Sequence, residues 1–453
     1  MSLTGSFLFQ GRGFARLLIV CGAGQTACCA GMAALGAINR HIPTFLALWF
    51  AAFFFYAVAA WSVFKYERSA DRSCGSGLPV LFVVAVFTVI FRAFLLLSPA
   101  TLSDDIYRNV WEGTIVASGM NPYLHAPDDP ALSDMRDADV FPNINHRQYS
   151  AIYPPVTQFV LGLAMGLDPS PGCVKAVMAL FDVGCAALLV LILRAYRLPL
   201  QRCVVYAWHP LPALEFAGSG HCDSIGIFFL LLCVLLLRRG FQYAGAAALA
   251  LSALAKVFPV VFVPFVLVKR PAVAAVCVLC ALAAYAPFMD AGESLITSLS
   301  VYARDWYFNG SLYDVLALIL GGHAAGRIAA AVLFALWYVV VFQKFLRPSG
   351  VHPECALPSA VFTLIAVLLV LSPVVYPWYL CWLLPFLALF PNRAWLLLSA
   401  LIAVSYEVLI DYTQSGLWQE RLWVRLVQYV PFYAVFVYDS LRAYRALKHG
   451  VTA

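Results

Sequence analysis

Apolar runs of about 17–25 residues, each long enough to cross a bilayer as a helix, recur from one end of this chain to the other. They leave no stretch free for a separate soluble domain. Only 11% of the 453 residues are charged and 63% are hydrophobic, where a soluble domain carries about 25% charge. Inside lipid every backbone polar group needs an internal partner, so long apolar runs of this kind fold as helices. The chain reads as an all-α polytopic membrane protein, a single integral membrane domain over residues 1–453. Candidate spans fall at roughly 14–38, 43–64, 78–98, 174–193, 203–217, 223–238, 242–255, 257–268, 272–288, 325–346, 357–372, 378–390, 394–410 and 424–442. The bundle is thus expected to hold about 12–14 transmembrane helices, some of them short enough to be hairpins or tilted half-spans. Three blocks follow: N-terminal spans at 14–98, a polar loop with a re-entrant helix at 99–172, and the remaining bundle at 173–446.

Charge gives the expected orientation. Basic clusters occur at Arg12/Arg16, Lys65/Arg68/Arg72, Arg194/Arg197/Arg202, Arg238/Arg239, Lys269/Arg270, Lys344/Arg347, Arg393 and Arg442/Arg445/Lys448. All share one side if both termini are cytoplasmic, as the positive-inside rule requires. This holds only if 155–167 does not cross; its thirteen or so residues after Pro154-Pro155 are too few and suit a re-entrant or interfacial helix. Arg12 and Arg16 before an apolar run resemble a signal peptide, but further spans follow at once and an uncleaved first helix is expected. The bases form no patch, so no nucleic-acid partner is expected. The cysteines show no framework spacing and sit mostly inside apolar runs.

The opposite, extracytoplasmic side then receives a polar loop from about 99 to 155. It carries eight acids (Asp104, Asp105, Glu112, Asp128, Asp129, Asp134, Asp137, Asp139) against three bases (Arg108, Arg136, Arg147). Asp104 and Asp105 stand at its head, at the membrane boundary, where paired carboxylates serve as general base, as metal ligands or as helix caps behind Ser103. His146, Arg147, Tyr149, Tyr153 and Pro154-Pro155 form a second cluster; its cations suit a lipid phosphate and its rings an aromatic belt. His221 and Asp223 lie in a Gly-Ser-Gly turn, with His209 and Glu215 just before them. Ionisable groups at that depth are functional candidates or a structural hydrogen-bonded pair, and too few ligands lie nearby for zinc. Lys256 is a lone cation in an apolar hairpin on the face where positive charge is sparse. It reads as a phosphate site or a snorkelling anchor. Arg304 and Asp305 suit an ion pair, Tyr376, Trp378 and Tyr379 a sugar platform or interface anchor, and Arg92, Asp182 and Glu407 mutual satisfaction within spans.

The runs SDDIYRNVWEGTIVASGMNPYLHAP and INHRQYSAIYPPVTQ resemble the first extracytoplasmic loop of GT-C superfamily glycosyltransferases, in particular membrane mannosyltransferases that use polyprenyl-phosphate sugars. EFAGSGHCDSIGIFFLLL, LSALAKVFPVVFVP, YARDWYFNGSLYD and LSPVVYPWYLCWLLP continue the likeness in order over about residues 80–410. The resemblance implies a GT-C-like bundle with a large first loop containing interfacial helices. In that family an acid about fourteen residues before the Gly of a G-x-x-P-Y element is the catalytic base. Counting back from Gly119 selects Asp105, with Asp104 beside it. The Tyr-Pro-Pro element maps to Tyr153–Pro155 and the later hairpin lysine to Lys256. Two departures stand out: two spans precede the one before the loop, and Tyr376 stands where close relatives carry His.

The resemblance implies transfer of a hexose, mannose favoured, from a polyprenyl-phosphate-sugar donor to an acceptor hydroxyl of a glycolipid, glycan or protein. The reaction is expected to invert the anomeric centre on the extracytoplasmic face of a bacterial inner (plasma) membrane. Asp105 is the expected base. Tyr107, Arg108, His146, Tyr153, His221, Asp223, Lys256, Arg304, Tyr376 and Trp378 are the expected substrate contacts, with Lys256 and Arg304 on the departing phosphate. No cofactor is required, although the paired acids leave a divalent metal open. The alternatives are a transporter or flippase of lipid-linked sugars, which needs no acid at the loop head, and a non-catalytic membrane assembly subunit.

Overall fold

The computed structural model describes residues 11–69, 77–268, 270–347 and 355–448. The expected basic positions Arg72 and Lys269 lie outside them. The described chain is helical throughout, and its only β-type pairing is an isolated bridge between Phe308 and Val374. The principal helices are α1 (Gly11–Ala34), α2 (Ile42–Ser69), α3 (Gly77–Leu96), α4 (Asp105–Ala117), α5 (Pro155–Leu167), α6 (Pro171–Ala195), α7 (Asp223–Arg238) and α8 (Gln242–Ala255). They continue with α9 (Val273–Tyr285), α10 (Ser294–Asp305), α11 (Leu312–Ile319), α12 (His323–Leu346), α13 (Ala356–Leu371), α14 (Arg393–Leu401), α15 (Val408–Ser415) and α16 (Leu422–Lys448).

Among the described residues, seven helical stretches are long and apolar enough to cross a membrane, at Gly13–Ala34, Ile42–Arg68, Leu78–Leu96, Pro171–Ala195, Val273–Ala291, His323–Leu346 and Arg393–Ser415. Of the other expected spans, 223–238, 242–255 and 357–372 are helices of 14–16 residues and 424–442 lies within the 27-residue α16, while proline breaks three more. The 203–217 run divides into Val204–Ala207, Pro210–Pro212 and a π-helical turn at Ala213–Gly218. The 257–268 run divides at Pro259 and Pro264, and 378–390 at Pro385. Each proline removes a backbone donor and crowds the preceding turn. Broken backbone of this kind is tolerated at membrane depth only inside protein. Residues 203–226 are accordingly all buried. The lipid-facing rim lies elsewhere, on α9 and α12, where Leu279, Leu282, Leu333 and Leu336 are exposed.

Buried polar groups lock the frame. Arg92 of α3 pairs with Asp182 of α6 at 2.7 Å and donates to the Ala207 carbonyl, while the Tyr206 hydroxyl donates to Asp182. Arg92 and Asp182 satisfy one another as expected; Glu407 instead pairs with Arg421 at 2.9 Å. The Lys175 ammonium donates to the carbonyls of Leu95, Leu96 and Ser98, capping α3 where the chain leaves for the polar loop.

The loop itself starts as an amphipathic helix. Ile106, Asn109, Val110 and Gly113 of α4 share a buried face that packs on α5. Contact is close at Gly113, where a Cβ would stand 2.7 Å from the Leu161 carbonyl oxygen. The 155–167 segment is the expected short helix, α5, and lies against α4 and α6.

Candidate active site

The segments singled out in the sequence converge on one cavity of about 1130 Å³. The loop head and the Asn145–Pro154 stretch, the Lys256–Phe258 hairpin, the end of α10 and the Ser372–Tyr379 turn all line it, together with Ile365, Leu368 and Leu369 of α13. Asp104 and Asp105 both face this space. They reach it because α3 ends at Leu96 and α4 begins at Asp105, whose backbone N–H donates to the Ser103 hydroxyl.

The two carboxylates have different surroundings. Asp105 is one-third exposed (33%); its Oδ1 accepts from the Asn145 amide at 2.9 Å, and its Oδ2 lies 4.0 Å from His221 Nδ1. Asp104 accepts from the Tyr412 hydroxyl at 3.1 Å. Burial raises the Asp104 pKa above its ordinary value of 3.8; the Tyr412 hydrogen bond and His146 oppose this, and Asp105 adds to it.

His221 sits in the buried turn before α7, against α4. The close approach depends on Gly220, which has φ +75° and would place a Cβ 2.4 Å from Ile106 Cδ1. Asn109 donates to the Gly220 carbonyl at 3.3 Å. His221 and Asp223 therefore lie immediately behind the cavity wall. Burial first, and Lys256 second, push the His221 pKa well below its ordinary 6.5.

Several expected substrate contacts take other roles. Lys256 lines the cavity but is not a lone cation: its Nζ lies 2.6 Å from Asp223 Oδ1, which also accepts from Trp382 Nε1 at 2.6 Å. The sequence showed a cation amid hydrocarbon; the tertiary fold brings its counter-ion from 33 residues away. The ammonium also sits 4.4 Å from the Tyr379 ring and 5.8 Å from the Tyr153 ring. Arg108 lines the cavity, yet its donors go to Glu112 and to the carbonyls of His146, Tyr149 and Ser150. It ties the end of the loop to α4 and is committed before any phosphate arrives. His146 faces the cavity edge-on to Trp306; burial and Arg108 lower its pKa, and Asp105 and Asp104 oppose them.

Tyr107 packs among apolar residues and does not line the cavity. Arg304 is 73% exposed, forms a bidentate pair with Asp305 and does not line the cavity either. An exposed pair of this kind contributes little. Tyr376 and Trp378 do line it, but as members of a ring stack rather than as a free sugar platform. His221 lies 3.7 Å from Trp378, Trp378 4.4 Å from Tyr376, and Tyr376 4.8 Å from Phe308. At least one face of each is occupied by another ring.

Sequence reasoning missed Asn145, Tyr302, Tyr406 and Tyr412, all of which line the cavity, as does the expected Tyr379. Tyrosine near a membrane interface reads as an anchor, and only the tertiary arrangement separates these from anchors. Among the described residues, no group of three or more His, Cys, Asp or Glu side chains is arranged to hold a metal ion.

Acids at a loop head and an ammonium share one cavity, an arrangement suited to transfer of a charged group. No curated protein and no solved structure matches the chain. Residues 13–272 match the MptA_B family, described as alpha-(1->6)-mannopyranosyltransferase, N-terminal domain. That match spans more than half the chain, including the loop, the His221 turn and Lys256. The chain therefore belongs to this family of membrane mannosyltransferases, of the GT-C type.

Proposed function

We propose that the cavity transfers mannose from a polyprenyl-phosphate donor to the hydroxyl of a glycan or glycolipid acceptor, on the extracytoplasmic face of a bacterial plasma membrane, with Asp105 as general base. The observation that carries this reading is the shared cavity: Asp104, Asp105 and Lys256 line it together with the apolar side chains Ile365, Leu368 and Leu369. The apolar wall suits the isoprenoid chain, which has no reason to leave the bilayer. Lys256, oriented by Asp223, keeps further N–H donors for the donor phosphate.

Asp105 takes the proton from the acceptor hydroxyl as its oxygen bonds to the anomeric carbon. The bond from that carbon to the phosphate oxygen breaks, and the lipid phosphate leaves with the electron pair. A single displacement inverts the centre, so an α-linked product requires a β-linked donor. The family description points to a 6-hydroxyl, a primary alcohol, as the acceptor group.

The test is mannosyl transfer by the Asp105→Asn protein in detergent, with donor binding measured beside it. Transfer falls by about two to four decades while binding persists. A carrier of lipid-linked sugar would keep its function in that variant. Near-normal transfer, with Asp104→Asn inactive instead, moves the base to Asp104.

A further inference from the structure

Behind Asp105 lies a buried line of polar groups for which base catalysis alone gives no reason. Glu215 is 0% exposed and His221 1%. Glu215 Oε2 stands 3.4 Å from His221 Nε2, and neither atom has a hydrogen-bond partner elsewhere. Glu215 Oε1 accepts from the Tyr406 hydroxyl at 2.7 Å. The His221 backbone N–H donates to the Glu215 carbonyl at 3.0 Å, which ties His221 to the π-helical turn that carries Glu215. Turns of this type interrupt helices most often at functional sites. The Trp378 ring, stacked at 19° to the imidazole, fixes the plane in which His221 presents its two nitrogens.

From this geometry we propose that Glu215 and His221 form a neutral positioning dyad that holds the Asp105 carboxylate; the inference rests on Asp105 being the base. Two facing buried atoms without partners need one proton between them. The charged groups around them decide where it resides. Asp105 faces His221 from α4, Asp223 lies at the start of α7, and Lys256 is already paired with Asp223. Among the described residues no Lys or Arg pairs with Glu215, and burial disfavours an unpaired charge. Glu215 is therefore the acid and donates to His221 Nε2. That leaves the other nitrogen, Nδ1, protonated and aimed at Asp105 Oδ2.

With Asn145 donating to Oδ1, both carboxylate oxygens then have a fixed donor. The 4.0 Å gap to Oδ2 is longer than a hydrogen bond, as is common before substrate fills a site. During transfer the acceptor proton ends on Asp105, and the dyad keeps its own two protons. Its contribution is orientation and tautomer, not relay.

The experiment compares His221→Phe, Glu215→Leu and Glu215→Gln in transfer from polyprenyl-phosphate mannose to a short mannoside, with kcat/KM followed against pH and Asp105→Asn as control. His221→Phe keeps a ring on Trp378 but removes the donor to Asp105. The rate falls about ten- to a hundredfold, the scale of one hydrogen bond to a charged group. The acid limb of the profile moves to higher pH, because a carboxylate that loses a donor is more readily protonated. Glu215→Leu behaves alike, and Glu215→Gln recovers most of that loss, since its amide donates to Nε2 and its carbonyl accepts from Tyr406. An unmoved acid limb in His221→Phe, with Asp105→Asn inactive, overturns the dyad and leaves the base assignment standing. Glu215→Gln as impaired as Glu215→Leu overturns it too, because an ionised carboxylate is then required. Full transfer by Asp105→Asn removes the base reading itself.

Discussion

Replacing Lys256 by Met removes one member of an ion pair whose other member cannot reach water. Asp223 is 0% exposed, its Oδ1 holds both the Lys256 ammonium and Trp382 Nε1 at 2.6 Å, and its Oδ2 has no hydrogen bond. Were Lys256 the unpaired cation that the sequence presents, an apolar replacement would leave stability unchanged or raise it. The structure reverses the sign. Breaking a buried pair by deleting one partner costs about 3–5 kcal/mol, because the remaining charge is stranded. The position of Asp223 in the first turn of α7 offsets about 0.3–1 kcal/mol of this through the helix dipole. Asp223→Asn is milder, since Lys256 is 19% exposed and its ammonium can turn toward the cavity. The double variant Lys256→Met with Asp223→Asn has no stranded charge and recovers stability relative to Lys256→Met. Thermal unfolding of the four proteins in one detergent, without substrate, measures the cycle. The net cost is then about 2–4.7 kcal/mol, and with an unfolding entropy of about 2.1 cal/mol/K per residue over 453 residues the single Lys256→Met change lowers the apparent Tm by about 2–5 °C. A Lys256→Met protein as stable as the parent, or a double variant no better than Lys256→Met, refutes the reasoning.

Other outcomes follow from the same geometry. Asp104→Asn keeps an acceptor for Tyr412 and removes a carboxyl whose folded pKa is raised. Such a group contributes stability below its unfolded pKa and loses it as pH rises through the folded value. The variant is therefore more stable than the parent at neutral pH, and the difference shrinks toward acid; a pH-independent difference in Tm contradicts this. Gly220→Val adds a β-branched side chain at φ +75° and against Ile106, which displaces the His221 turn; transfer activity falls together with stability, and a fully active variant would show the turn to be slack. Arg108→Lys cannot reproduce four guanidinium contacts, so the Asn145–Ser150 stretch loosens from α4; faster proteolysis there is the readout, and unchanged cleavage argues against its tethering role. Ser133→Cys labels from outside intact cells with an impermeant thiol reagent while Arg239→Cys does not, and the opposite pattern inverts the proposed topology.

Composition and run length sufficed for the membrane class, the helical architecture and the polar loop, because the demand that lipid places on backbone hydrogen bonds is local and admits few solutions. The loop head, the Tyr-Pro-Pro entry to α5 and the gathering of the loop, the Lys256 hairpin, the 302–308 stretch and the 372–379 turn around one cavity were legible for a related reason: polar residues at membrane depth are too costly to occur without partners or purpose. Partnership itself was not legible. Lys256 looked solitary because Asp223 lies on another helix, Arg108 looked available because the carbonyls that engage it lie about 40 residues on, and Tyr376 and Trp378 looked open because ring stacking is invisible along a chain. Prolines broke three of the apolar runs into short buried turns. In each case the missing information is a contact between distant parts of the chain, where hydrogen bonds and charges are satisfied by whatever the packing brings near, and only the tertiary structure decides that.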